Sequence, residues 1–388
     1  MYPTISFFLQ ETFGIDFPLP IQTFGFFVAL AFLTAAYLIS RELQRKQEEG
    51  LIKPGSKEVE TGKPATTTDY ITNGLIGFVV GFKLVYMLFN YSLFVDDPQS
   101  TLLSLEGSLP GGLLLAAGFI YLRYNESKKQ QLEKPGKKTV RLNANDHVGN
   151  IILLGVVGGL VGAKVFHNLE NPNEFMADPI GSLLSFSGLT YYGGLITAAF
   201  LIIRYGIKNG LPPWHLVDAA APALMLSYGV GRIGCQMSGD GDWGIVNTSP
   251  KPDWMSFLPD WMWSFNFPHN VNNEGIPIPG CTGKWCHMLP EPVYPTAFYE
   301  TLMAIVLFAM LWSIRKRIKI PGLLFSIYLV LNGFERFLIE SIRVNTKYHI
   351  IGYEITQAQI ISTLLMITGI VGIWYTRKAA ATNTLNAD

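Results

Sequence analysis

Arginine is the side chain best suited to gripping a phosphate, because its planar fork meets two oxygens at once. Three arginines in this chain stand where helices should be apolar. Arg232 closes an apolar stretch in GVGRIGCQMSGDGDWG, Gly229 to Gly244, and a glycine-rich, twice-acidic turn containing Asp240 follows it. The glycines let backbone N–H groups approach a ligand closely. In NGFERFLIESIR, Asn332 to Arg343, the residues Arg336, Glu340 and Arg343 are spaced i, i+4 and i+7, which puts them on one face of a helix. TYYGGL, Thr190 to Leu195, and VYPTAFYE, Val293 to Glu300, each enter a helix with tyrosines beside small residues.

Ionisable groups inside a membrane span are costly and count as candidates for function. Arginines converging beside Glu300 at the outer headgroup level suit the phosphate of an anionic phospholipid. The plainer alternative is that Arg336 and Glu340 form only an intramembrane i, i+4 ion pair. Arg343 is expected nearest the water interface, where screening weakens its effect.

The elements that carry these residues follow from composition. Of 388 residues, 49% are hydrophobic and only 15% charged, against roughly a quarter charged in soluble proteins. The apolar residues gather into runs of about 20, the length a helix needs to cross a bilayer. A spanning β-barrel would show alternating polarity, which is absent. Net formal charge is zero, so nothing favours nucleic acid. The first run, about Ile21 to Ile39, follows a stretch without Lys or Arg and reads as a retained helix rather than a signal peptide.

The runs centre near residues 30, 80, 116, 157, 195, 224, 304, 330 and 365. An all-α integral membrane protein of about nine transmembrane helices is the expectation. Basic loops mark the cytoplasmic side. Arg41 to Lys63 and Arg123 to Arg141 are basic, while Ser92 to Gly107 and Asn168 to Asp178 are acidic and free of Lys and Arg. Arg204 with Lys208, the run Arg315 to Lys319, and Arg377-Lys378 continue the alternation, leaving Arg343 to Tyr353 outside. The N-terminus is then outside and the C-terminus inside. The expected parts are a first helix with its cytoplasmic loop (1–69), an extra helical hairpin with its loop (70–147), a transmembrane core (148–238), a small external head (239–292) and the rest of the core (293–388).

Cys281 and Cys286 lie in that head, in an oxidising compartment, where a disulfide is favoured over a metal site or a redox pair. Cys235 reads as a small packing residue. GLIGFVVGFKLVYMLFN from Gly74 and GVVGGLVGAKVFHNLEN from Gly155 share Gly-x-x-Gly-x-x-x-Gly-x-Lys. Two explanations stand: shared helix-packing composition, or a duplicated hairpin.

GRIG with its acidic turn at Gly231 to Gly244, YPTAFYE, the Arg336 to Arg343 run and the late Gln359 resemble the prolipoprotein diacylglyceryl transferase family, over most of the chain from about residue 150 and the first helix. The resemblance implies transfer of the diacylglyceryl group of phosphatidylglycerol to the lipobox cysteine of exported prolipoproteins, in the bacterial inner membrane, with no metal or organic cofactor. Its catalytic candidates here are Arg232, Arg336, Glu340 and Tyr192. Its substrate-binding candidates are Arg232, Gly193, Gly194, Asp240, Glu300, Arg343 and Gln359. Tyr192-Gly193-Gly194-Leu195 stands where the family usually has His-Gly-Gly-Leu, so the thiol's proton acceptor stays open. Rival readings are another phospholipid-dependent membrane transferase, or a transporter, which a repeat would suit.

Overall fold

The apolar runs become long helices joined by short polar turns in the computed structural model, which describes residues 1–132, 136–185, 188–350 and 353–385. In chain order the first elements are α1 (Ile5–Phe13), α2 (Thr23–Glu48), β1 (Gly55–Thr61), α3 (Thr67–Phe89), α4 (Tyr91–Asp96), α5 (Pro98–Leu103), α6 (Leu109–Gln130) and β2 (Gly136–Leu142). Then come α7 (Val148–Glu170), α8 (Pro172–Ala177), α9 (Pro179–Leu184), α10 (Tyr191–Lys208) and α11 (Pro213–Ser238). A head with one small ribbon, β3 (Ile276–Pro277) and β4 (His287–Met288), precedes α12 (Thr296–Ile314) and α13 (Leu323–Ile339). A last ribbon, β5 (Lys347–Ile350) and β6 (Tyr353–Thr356), leads into α14 (Gln357–Leu385). Positions 351 and 352 of the expected outer loop lie outside the described residues.

The architecture is mainly helical, and the strands among the described residues form three separate two-stranded ribbons. Among the described residues, α2, α3, Ala144–Glu170, α12 and Gln357–Thr382 are long and apolar enough to cross a membrane. The chain is a multi-pass membrane protein.

Helix α11 is the central element because small residues line it. Ala219 and Ala223 pack with Leu38, Leu43 and Ile151. Ala221 and Met225 face Ala304, Leu311 and Leu324. One end is tied by buried charges: Glu42 meets Arg315 at 2.7 Å, and Lys46 meets Asp218 at 3.8 Å. Asp218 also accepts from the backbone N–H groups of Gly322 and Phe325 at 2.9 Å, satisfying otherwise orphaned donors where α13 begins.

The repeat reaches beyond composition. α3, α4 and α5 recur as α7, α8 and α9, each starting 81 residues later (67 to 148, 91 to 172, 98 to 179). The turns match as well. Asn90 and Asn171 each donate to the carbonyl four residues back at 3.0 Å. Asp97 and Asp178 each accept the N–H three residues on, at 3.1 and 2.9 Å. Gly81 lies against the carbonyl of Gly111, and Gly162 against that of Gly193, so glycine is what lets each pair of helices close. Shared composition alone does not reproduce turn chemistry in register, so the structure favours duplication.

The first copy is an excursion whose ends meet. β1 pairs with β2 antiparallel, Gly55 opposite Leu142 and Thr61 opposite Gly136. At the other end of the hairpin, Lys284 of the head donates to the Asp96 carbonyl at 3.1 Å.

The head surrounds Trp243, Phe267, Leu289 and Val293. Cys281 and Cys286 are joined by a disulfide there. Cys235 is buried and unbonded to another cysteine.

Candidate active site

Three separate stretches of chain deliver charge to one end of the α11–α12–α13 bundle. Glu300 lies one turn into α12, is 0% exposed, and is the hub. Its Oε2 is 3.1 Å from Arg232 Nε. Its Oε1 is 3.2 Å from Arg336 Nη1 and 3.1 Å from Arg343 Nη1. The Asp242 carboxylate gives one oxygen to Arg232 and the other to Arg343. A closed ring results: Arg232, Glu300, Arg343 and Asp242. Arg336 joins it through Glu300 and binds Glu340 at 2.9 Å on its other side. Three guanidinium groups are thus set against three carboxylates.

The head holds this ring in place. Asp242 follows Gly239 and Gly241, both in left-handed backbone (φ 64° and 97°), a conformation glycine adopts without strain. Thr296, the first residue of α12, donates its hydroxyl to the Asp242 carbonyl at 2.7 Å. Gly244 pairs with Arg343, and the Ile245 N–H donates to the Ile342 carbonyl at 2.8 Å. A side chain at Gly244 would collide with the Ile342 carbonyl, so glycine permits this approach. The acidic turn, the start of α12 and the end of α13 are thereby fixed together.

The two aspartates of the turn are pushed apart. Burial raises Asp240, and the neighbouring Asp242 charge adds to the effect. Burial would raise Asp242 too, but Arg232 and Arg343 outweigh it and hold that carboxyl below its ordinary range.

The structure gathers Arg232, Arg336, Glu340, Arg343 and Glu300 at one end of the bundle, with one correction. Arg343 does not continue the helical face, because α13 ends at Ile339, a 3₁₀ turn covers Glu340–Ile342, and Arg343 itself is extended (φ −91°, ψ 153°). It is also the least exposed of the three arginines. Its side chain is 10% exposed against 20% for Arg232 and 24% for Arg336, because it bridges two carboxylates. Arg336 and Glu340 do pair, yet Arg336 also reaches Glu300, so the pair is not isolated.

The remaining candidates lie at varying remove. Tyr192 is partly buried in the first turn of α10, 5.4 Å edge-on from Tyr191. Gly193 and Gly194 pack into α7, where a Cβ on Gly194 would stand 2.7 Å from the Gly159 carbonyl. The Asp240 carboxylate lies within 4.8 Å of Cys235 Sγ and of the Asp242 carboxylate. Gln359 caps α14 by exchanging hydrogen bonds with Thr356, at 3.1 and 3.2 Å.

Sequence reasoning passed over Asp242, Tyr228 and Glu335. Tyr228 precedes Arg232 by four residues, a spacing that places its ring 5.1 Å from the guanidinium carbon. Asp242 gave no signal separable from Asp240. Cys235, read as packing alone, also accepts a weak contact from Arg232 at 3.7 Å.

Comparison with known proteins agrees with the motifs. Residues 111–375 match the family model described as prolipoprotein diacylglyceryl transferase. Among relatives named phosphatidylglycerol–prolipoprotein diacylglyceryl transferase, one from Leptospira interrogans is 28% identical, over 62% of this chain and 73% of the relative. Another from Vibrio vulnificus is 29% identical, over 67% and 83%. A third from Vibrio campbellii is 27% identical, over 71% and 90%. The matched span runs from the start of α6 to near the end of α14 and takes in every member of the arginine–carboxylate ring, and on that basis the chain belongs to the prolipoprotein diacylglyceryl transferase family.

Proposed function

We propose that this protein transfers the diacylglyceryl group of phosphatidylglycerol to the lipobox cysteine thiol of prolipoproteins, forming a thioether in the first step of bacterial lipoprotein maturation. The observation that carries this reading is the convergence of Arg232, Arg336 and Arg343 on Glu300 in a chain of this family. In the reaction sulfur attacks a glycerol carbon, a C–S bond forms, and the C–O bond to phosphate breaks. Glycerol phosphate leaves, carrying the electron pair, and the thiol's proton goes to an acceptor or to the leaving phosphate. Negative charge therefore moves from sulfur to phosphate, and fixed guanidinium groups act at both ends: they favour the thiolate and stabilise the departing oxygens.

Arg232 takes the lipid phosphate, and Arg336, oriented by Glu340, takes the same headgroup or steers the thiol. The Asp242 side chain is 30% exposed and bridges two arginines, so it occupies the position an incoming phosphate would share or displace. Glu300 and Arg343 complete the binding frame, Asp240 lines the turn, and Tyr192 hydrogen-bonds lipid or thiol. The placements of Gly193 and Gly194 in helix packing, and of Gln359 as a cap, support positioning roles for these three. The reaction is tested with purified protein, phosphatidylglycerol and a lipobox peptide, by mass spectrometry of the peptide. A diacylglyceryl increment on the cysteine is expected; an unmodified peptide, or a different lipid product, would refute the assignment.

The topology that goes with this activity has nine spans, α2, α3, α6, α7, α10, α11, α12, α13 and α14. The N-terminus and the 239–292 head face the outer side of the bacterial inner membrane, so the site opens toward the outer leaflet. Positive charge in alternate loops supports it. Single cysteines at Lys57 and Asp260 should label from opposite sides; labelling from one side would overturn the topology.

The first hairpin copy is dispensable for chemistry on this reading, because it lacks the ring residues and its ends meet at the β1–β2 ribbon. Pro110-Gly111-Gly112-Leu113 stands where the second copy has Tyr192-Gly193-Gly194-Leu195. Replacing residues 56–141 by a short Gly/Ser linker should leave single-turnover transfer measurable, since every ring residue lies outside that segment. A folded, inserted deletion protein with no transfer would contradict this.

A further inference from the structure

Five carboxylates lie within the arginine cluster or against it; Asp240 stands beside Cys235 in the turn, and three of the other four have a cation among the described residues. Asp242, Glu300 and Glu340 each bind at least one guanidinium. Glu335, on α13, is 2% exposed and has no ion-pair partner among the described residues. Its Oε2 has no hydrogen-bond partner, and its Oε1 accepts from the Tyr228 hydroxyl at 3.4 Å. Being next to Arg336 in sequence, it points about 100° away around the helix, toward α11 rather than toward Glu340. Tyr228 is therefore held at both ends. Its hydroxyl is bound to Glu335, and its ring face lies 5.1 Å from the Arg232 guanidinium carbon, within cation–π range.

We propose that Tyr228 and Glu335 form a positioning pair for Arg232, in which Glu335 anchors the phenol and the phenol supports the guanidinium that receives the lipid phosphate. Arg232 has Nε on Glu300 and one Nη on Asp242, so its carboxylate contacts lie on its edges. An incoming phosphate competes for the Asp242 edge. A guanidinium held by its edges alone would swing as that contact exchanges. A ring beneath its face keeps the plane oriented while the anion changes, and a fixed donor plane is what lets binding energy act on the transition state. Glu335 touches neither the guanidinium nor the substrate on this assignment, and acts only through Tyr228. A buried carboxyl without a cation is expensive to keep, and this role accounts for its presence beside the cluster.

The inference rests on the phosphatidylglycerol reading of Arg232, so the test carries two readouts on full-length protein in nanodiscs. One is phosphatidylglycerol affinity by native mass spectrometry, and the other is diacylglyceryl transfer to a lipobox peptide. Tyr228→Leu and Glu335→Leu should each weaken phosphatidylglycerol binding about tenfold, the size of a desolvated cation–π contact. Glu335→Gln retains a carbonyl acceptor for the phenol and should stay within about twofold of wild type. The double leucine variant should lose no more than Tyr228→Leu alone, because the two residues act in series. Unchanged affinity in Tyr228→Leu, equal losses in Glu335→Gln and Glu335→Leu, or multiplying losses in the double variant would each overturn the pair. Should a leucine variant fail to insert, Tyr228→Phe keeps the ring but drops the hydroxyl, cutting the same link as Glu335→Leu, and should cost the same, about tenfold; no loss there also overturns it. A wild-type protein that binds phosphatidylglycerol without modifying the peptide would refute the transferase reading, while the affinity series still judges the pair.

Discussion

Glu300→Gln is expected to lower diacylglyceryl transfer by at least about 10²-fold and to destabilise the folded protein. Both effects follow from one carboxylate serving three guanidinium groups, with Arg232 on one oxygen and Arg336 and Arg343 on the other. An amide of the same shape keeps one acceptor oxygen but turns an NH₂ group toward a guanidinium, so at least one arginine meets a donor instead of an acceptor. It also removes the negative charge that offsets three cations at a position with 0% exposure. Breaking a buried pair by removing one partner costs about 3–5 kcal/mol, because the remaining charge is left uncompensated. The activity loss has a separate origin. Displacing catalytic groups by about 1 Å can cost about 10²-fold, and here three move together. Thermal unfolding in nanodiscs reads the first effect, and single-turnover transfer at a temperature where the variant is folded reads the second. Near-normal transfer by a folded Glu300→Gln protein would show that the hub does not organise the site.

The helices were readable in the sequence because a membrane span must be both long and apolar, and the positions of α2, α7, α12 and α14 follow from that requirement. The Arg336–Glu340 pair was readable for a similar reason, since i, i+4 geometry is local. What joins Arg336 to Arg232 was not. Glu300, Arg232 and Arg343 come from segments far apart in the chain, and the packing of α11 against α12 and the pairing of the head's Gly244 with Arg343 bring them together. The end of α13 was also hidden. No glycine or proline stands between Ile339 and Arg343, and the helical spacing runs on through Arg343 even though the backbone changes to a 3₁₀ turn and then to extended chain. In the acidic turn, two aspartates separated by one glycine are indistinguishable by composition. Their fates differ because Gly241, in left-handed backbone, sends Asp242 to the arginines and leaves Asp240 beside Cys235. The duplication was faint because identity survives mainly at glycines and the lysine, whereas the matching turns depend on Asn and Asp caps that read as ordinary loop residues.

Arg232→Lys should cost about 10²- to 10³-fold in transfer while the protein still folds and inserts, the scale seen for a donor acting on transition-state charge. The charge is kept, so the loss isolates geometry. Arg232 meets Glu300 through Nε, meets Asp242 through Nη1, and lies 5.1 Å from the Tyr228 ring centroid. A lysine ammonium is a compact point charge on a flexible stem and cannot serve these three directions while also presenting two parallel donors to phosphate. It will settle on one carboxylate, leaving the phosphate grip to Arg336 and Arg343. Because glycerol phosphate gains charge as the C–O bond breaks, the loss should fall mainly on kcat, with a smaller rise in KM for phosphatidylglycerol. Arg336→Lys should follow the same pattern. Arg343→Lys should not be milder, since Arg343 is the least exposed of the three and bridges two carboxylates. Steady-state kinetics with phosphatidylglycerol varied at saturating peptide separates the cases. If Arg232→Lys stays within about tenfold of wild type in kcat, bidentate recognition by Arg232 is not what stabilises the leaving phosphate. That function would then have to lie with Arg336 or Arg343, and the same series of lysine variants would show which.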